Sequence, residues 1–128
     1  HLESEVPLGK SRLDFRLNTG DDVCWVEVKS VTYVENGVGK FPDAPTARGT
    51  RHLETLFNQV AAGERASVVF ISQREDANLF SPFTQVDPGF AKTLSQVHTL
   101  GVEVHAYRCR ISLTEIVISE EIDILSLI

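Results

Sequence analysis

At 128 residues, 42% hydrophobic and 23% charged, the chain has the size and composition of one compact domain with a core, and no run approaches the roughly 20 apolar residues of a membrane span. A formal charge of −6 excludes a module that is basic all over, so any contact with phosphate has to come from a local patch. Cys24 and Cys109, far apart and each in an apolar, strand-like run, read as packing thiols and give no disulfide framework or zinc site.

His1-Leu2-Glu3-Ser4 has no basic segment leading into an apolar one, so the chain is expected to be soluble and cytoplasmic. With no methionine anywhere, the parent protein is expected to extend upstream of His1. Residues 4–8 suit an edge strand. Leu13, Phe15 and Leu17 then interleave with Arg12, Asp14 and Arg16, and Cys24, Val26 and Val28 interleave with Trp25, Glu27 and Lys29; period-2 alternation predicts two strands. Gly20-Asp21 between them suits a two-residue hairpin loop. That loop pairs Thr19 with Asp22, and outward from it Leu17 with Cys24, Phe15 with Val26 and Leu13 with Val28 form an apolar layer. On the other face Arg16 falls opposite Trp25, Asp14 opposite Glu27 and Arg12 opposite Lys29.

A loop over residues 37–45 is expected next, with Asp43 organising the entry to a helix by capping it. The helix is predicted from Leu53, Leu56, Phe57 and Val60, with Gly63 as its stop. Residues 66–72 suit a buried strand, and Phe80, Pro82 and Phe83 a loop pinned to the core. Phe90, Leu94 and Val97 predict a second helix ending near Gly101, and residues 102–109 and 115–118 further strands. His98 and His105 stand apart as surface residues. The apolar tail, residues 122–128, reads as a last strand completing the sheet or as a surface for a homodimer. The alternation implies an α/β fold with a mixed central sheet flanked by helices, in a single domain over residues 1–128.

Two carboxylates opposed across a strand pair repel unless something positive lies between them. Mg²⁺ (or Mn²⁺) at Asp14 and Glu27 resolves the repulsion, since magnesium is commonly held by one or two carboxylates with water and substrate phosphate. Lys29, on the same face two residues on, is then placed to orient or deprotonate the attacking water. The alternative is a solvated sheet face on which Asp14 and Glu27 pair with Arg12, Arg16 and Lys29. Placement favours the functional reading, because a central strand seldom carries unneeded charge. Arg48, Arg51 and His52, at i, i+3 and i+4, form one basic helix face suited to phosphate, with a solvated face as the alternative; Lys10, Arg12 and Lys40 add charge if loops bring them close.

Asp14 followed by Glu27-Val28-Lys29 in a hairpin and then a helix resembles the PD-(D/E)xK nuclease superfamily. The wider wording is similar to the sugar fermentation stimulation protein family: residues 11–15 (Ser-Arg-Leu-Asp-Phe), 26–32 (Val-Glu-Val-Lys-Ser-Val-Thr), 41–44 (Phe-Pro-Asp-Ala), 80–82 (Phe-Ser-Pro), Arg48-Gly49 with His52-Leu53, and Gly101-Val102-Glu103-Val104 with Ala106-Tyr107. The resemblance implies a restriction-endonuclease-like carboxy-terminal domain that normally follows an OB-like domain absent here. It implies a bacterial or archaeal protein that binds DNA without marked sequence preference, with a regulatory role in sugar metabolism. Superfamily nucleases often add an acidic residue from an upstream helix, for which only Glu3 and Glu5 are candidates. Read as a nuclease, Asp14, Glu27 and the backbone carbonyl of Val28 hold metal, Lys29 handles water, and Arg48 and His52 hold phosphate. Read as a regulatory or architectural protein, the domain binds DNA without cutting it.

Overall fold

The computed structural model describes residues 2–8 and 11–127. The Gly20-Asp21 loop closes β2 (Ser11–Thr19) onto β3 (Asp22–Val31), with Gly20 at φ 61, and the expected register holds from Thr19↔Asp22 out to Phe15↔Val26. β1 (Leu2–Leu8) lies antiparallel outside β2 as the edge strand. β6 (Arg65–Ser72) and β8 (Glu103–Ile111) continue the sheet parallel to β3, and β9 (Ile116–Glu121) returns antiparallel, giving the order β1-β2-β3-β6-β8-β9. The architecture is α/β with a mixed central sheet.

Parallel neighbours need crossovers, and α1 (Ala47–Ala61) and α2 (Pro88–Thr99) lie in them. Gly49, His52, Leu53 and Leu56 form the buried stripe of α1, at i, i+3, i+4 and i+7; Phe90, Ala91, Leu94 and Val97 form that of α2. Thr46 caps α1 by accepting the Gly49 N–H at 2.9 Å. Asp87 caps α2 by accepting the Phe90 N–H at 2.9 Å, and its other oxygen takes the Thr46 N–H at 2.8 Å, so one carboxylate ties both helix starts together.

The helices cover one face of the large sheet, where Trp25, Ala66, Val68, Phe70 and Ala106 join Leu53, Leu56, Phe90 and Leu94 in the core. Phe70 stacks on Phe80 with centroids 4.2 Å apart, and Phe41 and Phe90 meet at 5.2 Å edge to face. The opposite face, with Cys24, Val26, Val28, Val69 and Ile71, is left half-buried by the described elements. This corrects the expected layering: Trp25 and Glu27, not Cys24, Val26 and Val28, point to the core, because parallel central strands carry apolar residues on both faces.

Two further expectations change. The expected loop over residues 37–45 is in part a strand: β4 (Tyr33–Glu35) turns at Asn36 (φ 51) and Gly37 (φ 79) into β5 (Val38–Phe41), a hairpin whose turn has two positive φ values. Asp43 does not cap α1; its carboxylate accepts from the Thr32 hydroxyl at 3.3 Å. β5 pairs with β7 (Leu79–Pro82), and β10 (Asp123–Ile124) completes a second, small sheet in the order β10-β7-β5-β4. Phe80 is thus a strand residue in the core, and the tail folds onto its own chain, with Ile122 buried and Ile124 and Leu127 packed on the core. No described helix is long and apolar enough to cross a membrane.

Candidate metal centre beneath the first helix

Regular pairing of β2 with β3 stops short of Asp14. Neither Asp14↔Glu27 nor Glu5↔Asp14 belongs to the ladder, and Glu5 has a φ of 52; pairing with β3 ends before Asp14, whereas pairing with β1 skips this residue and resumes at Val6↔Leu13. Side chains replace the missing ladder bonds. The Val28 N–H donates to Asp14 Oδ2 at 2.8 Å, and the Asp14 N–H donates to Glu27 Oε1 at 3.1 Å. Asp14 and Glu27 therefore meet as expected, through reciprocal carboxylate–backbone bonds rather than as simple opposed partners.

Glu27 is 3% exposed, a burial that a carboxylate tolerates only when paired. Its Oε2 lies 2.9 Å from Lys29 Nζ and 2.7 Å from His52 Nδ1, and Lys29 Nζ lies 2.8 Å from the same His52 nitrogen. One nitrogen cannot serve both neighbours in one state: protonated at Nδ1 it donates to Glu27, unprotonated it accepts from Lys29. Burial, and after it the charge of Lys29, hold the His52 pKa below the ordinary imidazole value against the pull of Glu27. The neutral ring is thus favoured.

His52 stands apart from the basic face assigned to it. Arg48 and Arg51 are exposed on α1, whereas His52 is 4% exposed on the core stripe with Gly49, Leu53 and Leu56. The signal for this was in the spacing, since His52 fits the i, i+3, i+4, i+7 apolar stripe as well as the polar one. Lys10 lies outside the described residues, as does the Arg12 side chain; the Arg12 backbone pairs with Pro7 in β1. Lys40 is held by Glu35 at 3.0 Å, on β4 and β5. Glu3 pairs with Arg16 at 3.4 Å, and Arg16 lies over the Trp25 ring at 5.3 Å. His98 is exposed, and His105 bonds Glu121 at 3.1 Å.

The donor set suits a hard cation. Two carboxylates face one ammonium, and the neutral imidazole adds no charge, so one negative charge in the cleft has no fixed partner among Lys29 and His52. Asp14 and Glu27 are the carboxylates that these bonds bring together. Among the described residues no group of three or more His, Cys, Asp and Glu is placed to hold a metal ion.

Comparison with known proteins agrees with the residue motifs. A family profile described as the sugar fermentation stimulation protein RE domain matches residues 1–115. A sugar fermentation stimulation protein homolog of Chloroflexus aurantiacus is 47% identical over 123 residues, 96% of this chain and 48% of that protein. The homolog of Moorella thermoacetica is 52% identical over 109 residues, 84% of this chain and 47% of that protein. The solved structure of Pyrococcus furiosus SfsA in complex with Ca²⁺ superposes with a TM-score of 0.90 at 32% identity, covering 95% of this chain and 53% of that one. The chain spans about half the length of the curated relatives it matches.

Proposed function

The chain belongs to the sugar fermentation stimulation protein family, and from that premise we propose that it binds DNA at a divalent-metal site of the PD-(D/E)xK nuclease type. The observation that supports this best is Glu27, a carboxylate buried in a central strand, joined to Asp14 by backbone bonds and to Lys29 at 2.9 Å. A purely structural carboxylate at that depth would be matched charge for charge; here the second carboxylate, Asp14, leaves an excess suited to Mg²⁺ or Mn²⁺. Asp14, Glu27 and the Val28 carbonyl would hold the ion. Ca²⁺, named with the Pyrococcus furiosus protein, is likewise a hard cation that takes oxygen ligands.

When bound, such an ion supplies a water of lowered pKa and screens phosphate charge. The chain's own residues do the rest. Lys29, fixed between Glu27 and His52, presents an ammonium to charge developing on the phosphate, and the dry setting under α1 strengthens that interaction. Arg48 and Arg51, exposed on α1, hold backbone phosphates, with Arg12 as a further contact; such contacts position a strand without reading its sequence. We place the protein in the cytoplasm, at the nucleoid, and the family's name supports a regulatory role in sugar metabolism.

A second reading, DNA binding without hydrolysis, draws on Glu27 being already paired with the Lys29 ammonium at 2.9 Å. One experiment separates the two. Linear, supercoiled and single-stranded DNA are incubated with the protein and Mg²⁺ or Mn²⁺, with binding and cleavage followed in parallel. Cleavage that Glu27→Ala abolishes supports the nuclease; DNA bound but uncut under every condition supports the second reading; DNA neither bound nor cut overturns both.

A further inference from the structure

We infer that Tyr33 and Phe83 form a stacking subsite for an unpaired base of the DNA strand held at Glu27 and Lys29. The inference rests on the DNA-binding reading above and adds to it the class of strand that the site takes. Tyr33 and Phe83 come from different parts of the chain, β4 and the segment after β7, yet their ring centroids lie 4.9 Å apart at 41°. Both rings are half-buried, unlike Phe70, Phe80 and Phe90, which the core encloses. A base has a π-face whatever its identity, so a partly open aromatic pair receives it without reading sequence.

A cation and a carboxylate complete the platform. Lys40, cross-strand partner of Tyr33, has its Nζ 5.1 Å from the Phe83 ring centroid. Glu35 takes the Tyr33 hydroxyl at 3.3 Å and the Lys40 ammonium at 3.0 Å, so the polar rim is satisfied within the hairpin. The four-carbon stem of Lys40 lets its ammonium move from the ring to the phosphate of a stacked nucleotide.

Placement links this platform to the metal centre. Tyr33 stands four residues after Lys29, within about 13 Å along extended chain, a span of a few nucleotides. Phe83 is tied to β5 by its N–H on the Phe41 carbonyl at 2.8 Å. Four residues on, Asp87 grips Thr46 at the start of α1, two residues from which Arg48 is exposed. The aromatic pair and Arg48 thus adjoin the start of α1, whose second turn sets His52 against Lys29. A base that stacks on Tyr33 or Phe83 has to leave its complement, so the strand must be single or frayed for a few nucleotides beside the metal.

The test uses fluorescence anisotropy of the 128-residue protein with a labelled single strand and with a blunt duplex of equal length, at fixed low salt. Tyr33→Leu and Phe83→Leu keep apolar bulk and remove the aromatic face; circular dichroism verifies their fold. A second arm moves one abasic nucleotide along the strand. The expected result is about tenfold weaker single-strand binding in each variant, duplex binding unchanged, and one abasic position that weakens the wild type but not Tyr33→Leu. Variants that bind single strands as tightly as wild type, or that lose single strand and duplex equally, overturn the subsite while leaving DNA binding intact. A wild type that binds neither overturns the DNA reading and the subsite with it.

Discussion

On the face of the six-stranded sheet that α1 and α2 cover, Trp25, Val68, Phe70 and Ala106 are at most 6% exposed, whereas one residue along the same strands Val26, Val69 and Tyr107 are only half-buried. The covered face also carries the buried carboxylate, Glu27, with Lys29 and His52. Charges on the other face, such as Arg65 and Glu103, stand in water. Chemistry that depends on charge is strongest where water is excluded, which is why the candidate centre lies on the side that packing would otherwise reserve for apolar residues.

The two faces should differ most in what truncation costs. Phe70→Ala opens a hole among Phe41, Phe80 and Phe90 and is expected to destabilise by about 3–5 kcal/mol in chemical denaturation. Ile71→Ala, the next residue but on the half-buried face, should cost well under half of that. Equal losses would mean that something covers the second face in solution.

Next in size is the effect on metal. Glu27→Gln keeps the shape and two acceptor or donor positions but removes the charge, and divalent-ion affinity measured by titration calorimetry is expected to fall more than about 100-fold. Asn at Asp14 should act in the same direction. An undiminished affinity in Glu27→Gln would place the ion elsewhere and end the parallel between burial and chemistry.

Much of this contrast was legible beforehand, and the gaps have physical causes. Alternation in residues 12–17 and 24–29 and the Gly20-Asp21 loop led to the hairpin register as far as Phe15↔Val26, though not to the end of pairing before Asp14, and to Asp14, Glu27 and Lys29 as a group. Which face was inside did not follow, because a parallel strand such as β3 has apolar residues on both sides and only the helix crossing it decides. The hairpin of β4 and β5 was hidden by polar and small residues, Glu35, Gly39 and Lys40, although Asn36-Gly37 is a strong turn signal. His52 could be assigned to either of two helix stripes, and only the docking of α1 shows that it belongs against Glu27.

Gly49 tests how tightly α1 must close on the covered face. A Cβ there would lie 2.8 Å from Thr46 Cγ2 and 3.2 Å from Phe90 Cε2, so Gly49→Ala forces the capping threonine aside. The helix gains about 1 kcal/mol of propensity, while overpacking and the disturbed cap cost about 1–3 kcal/mol. A net loss of roughly 1 kcal/mol is expected in thermal melts, with weakened metal binding as His52 shifts. A more stable variant would show that the helix start is free to move.

The smallest effect is expected on the half-buried face. Arg65 reaches Glu103 with two bonds, 2.9 and 3.0 Å, but its side chain is 65% exposed. The bond from Arg65, acting against partial burial, holds the Glu103 carboxyl below its ordinary pKa. A pKa lower in the folded than in the unfolded chain means that the contribution is fully present above the ordinary glutamate range and is lost as pH falls through the folded value. Solvent screening keeps it below about 1 kcal/mol. Glu103→Gln should therefore melt slightly below wild type at neutral pH and low salt, and the difference should vanish in molar salt or once pH falls below the folded pKa. A loss of several kcal/mol that salt does not screen would be the signature of a desolvated pair, and would mean that this face of the sheet is covered after all.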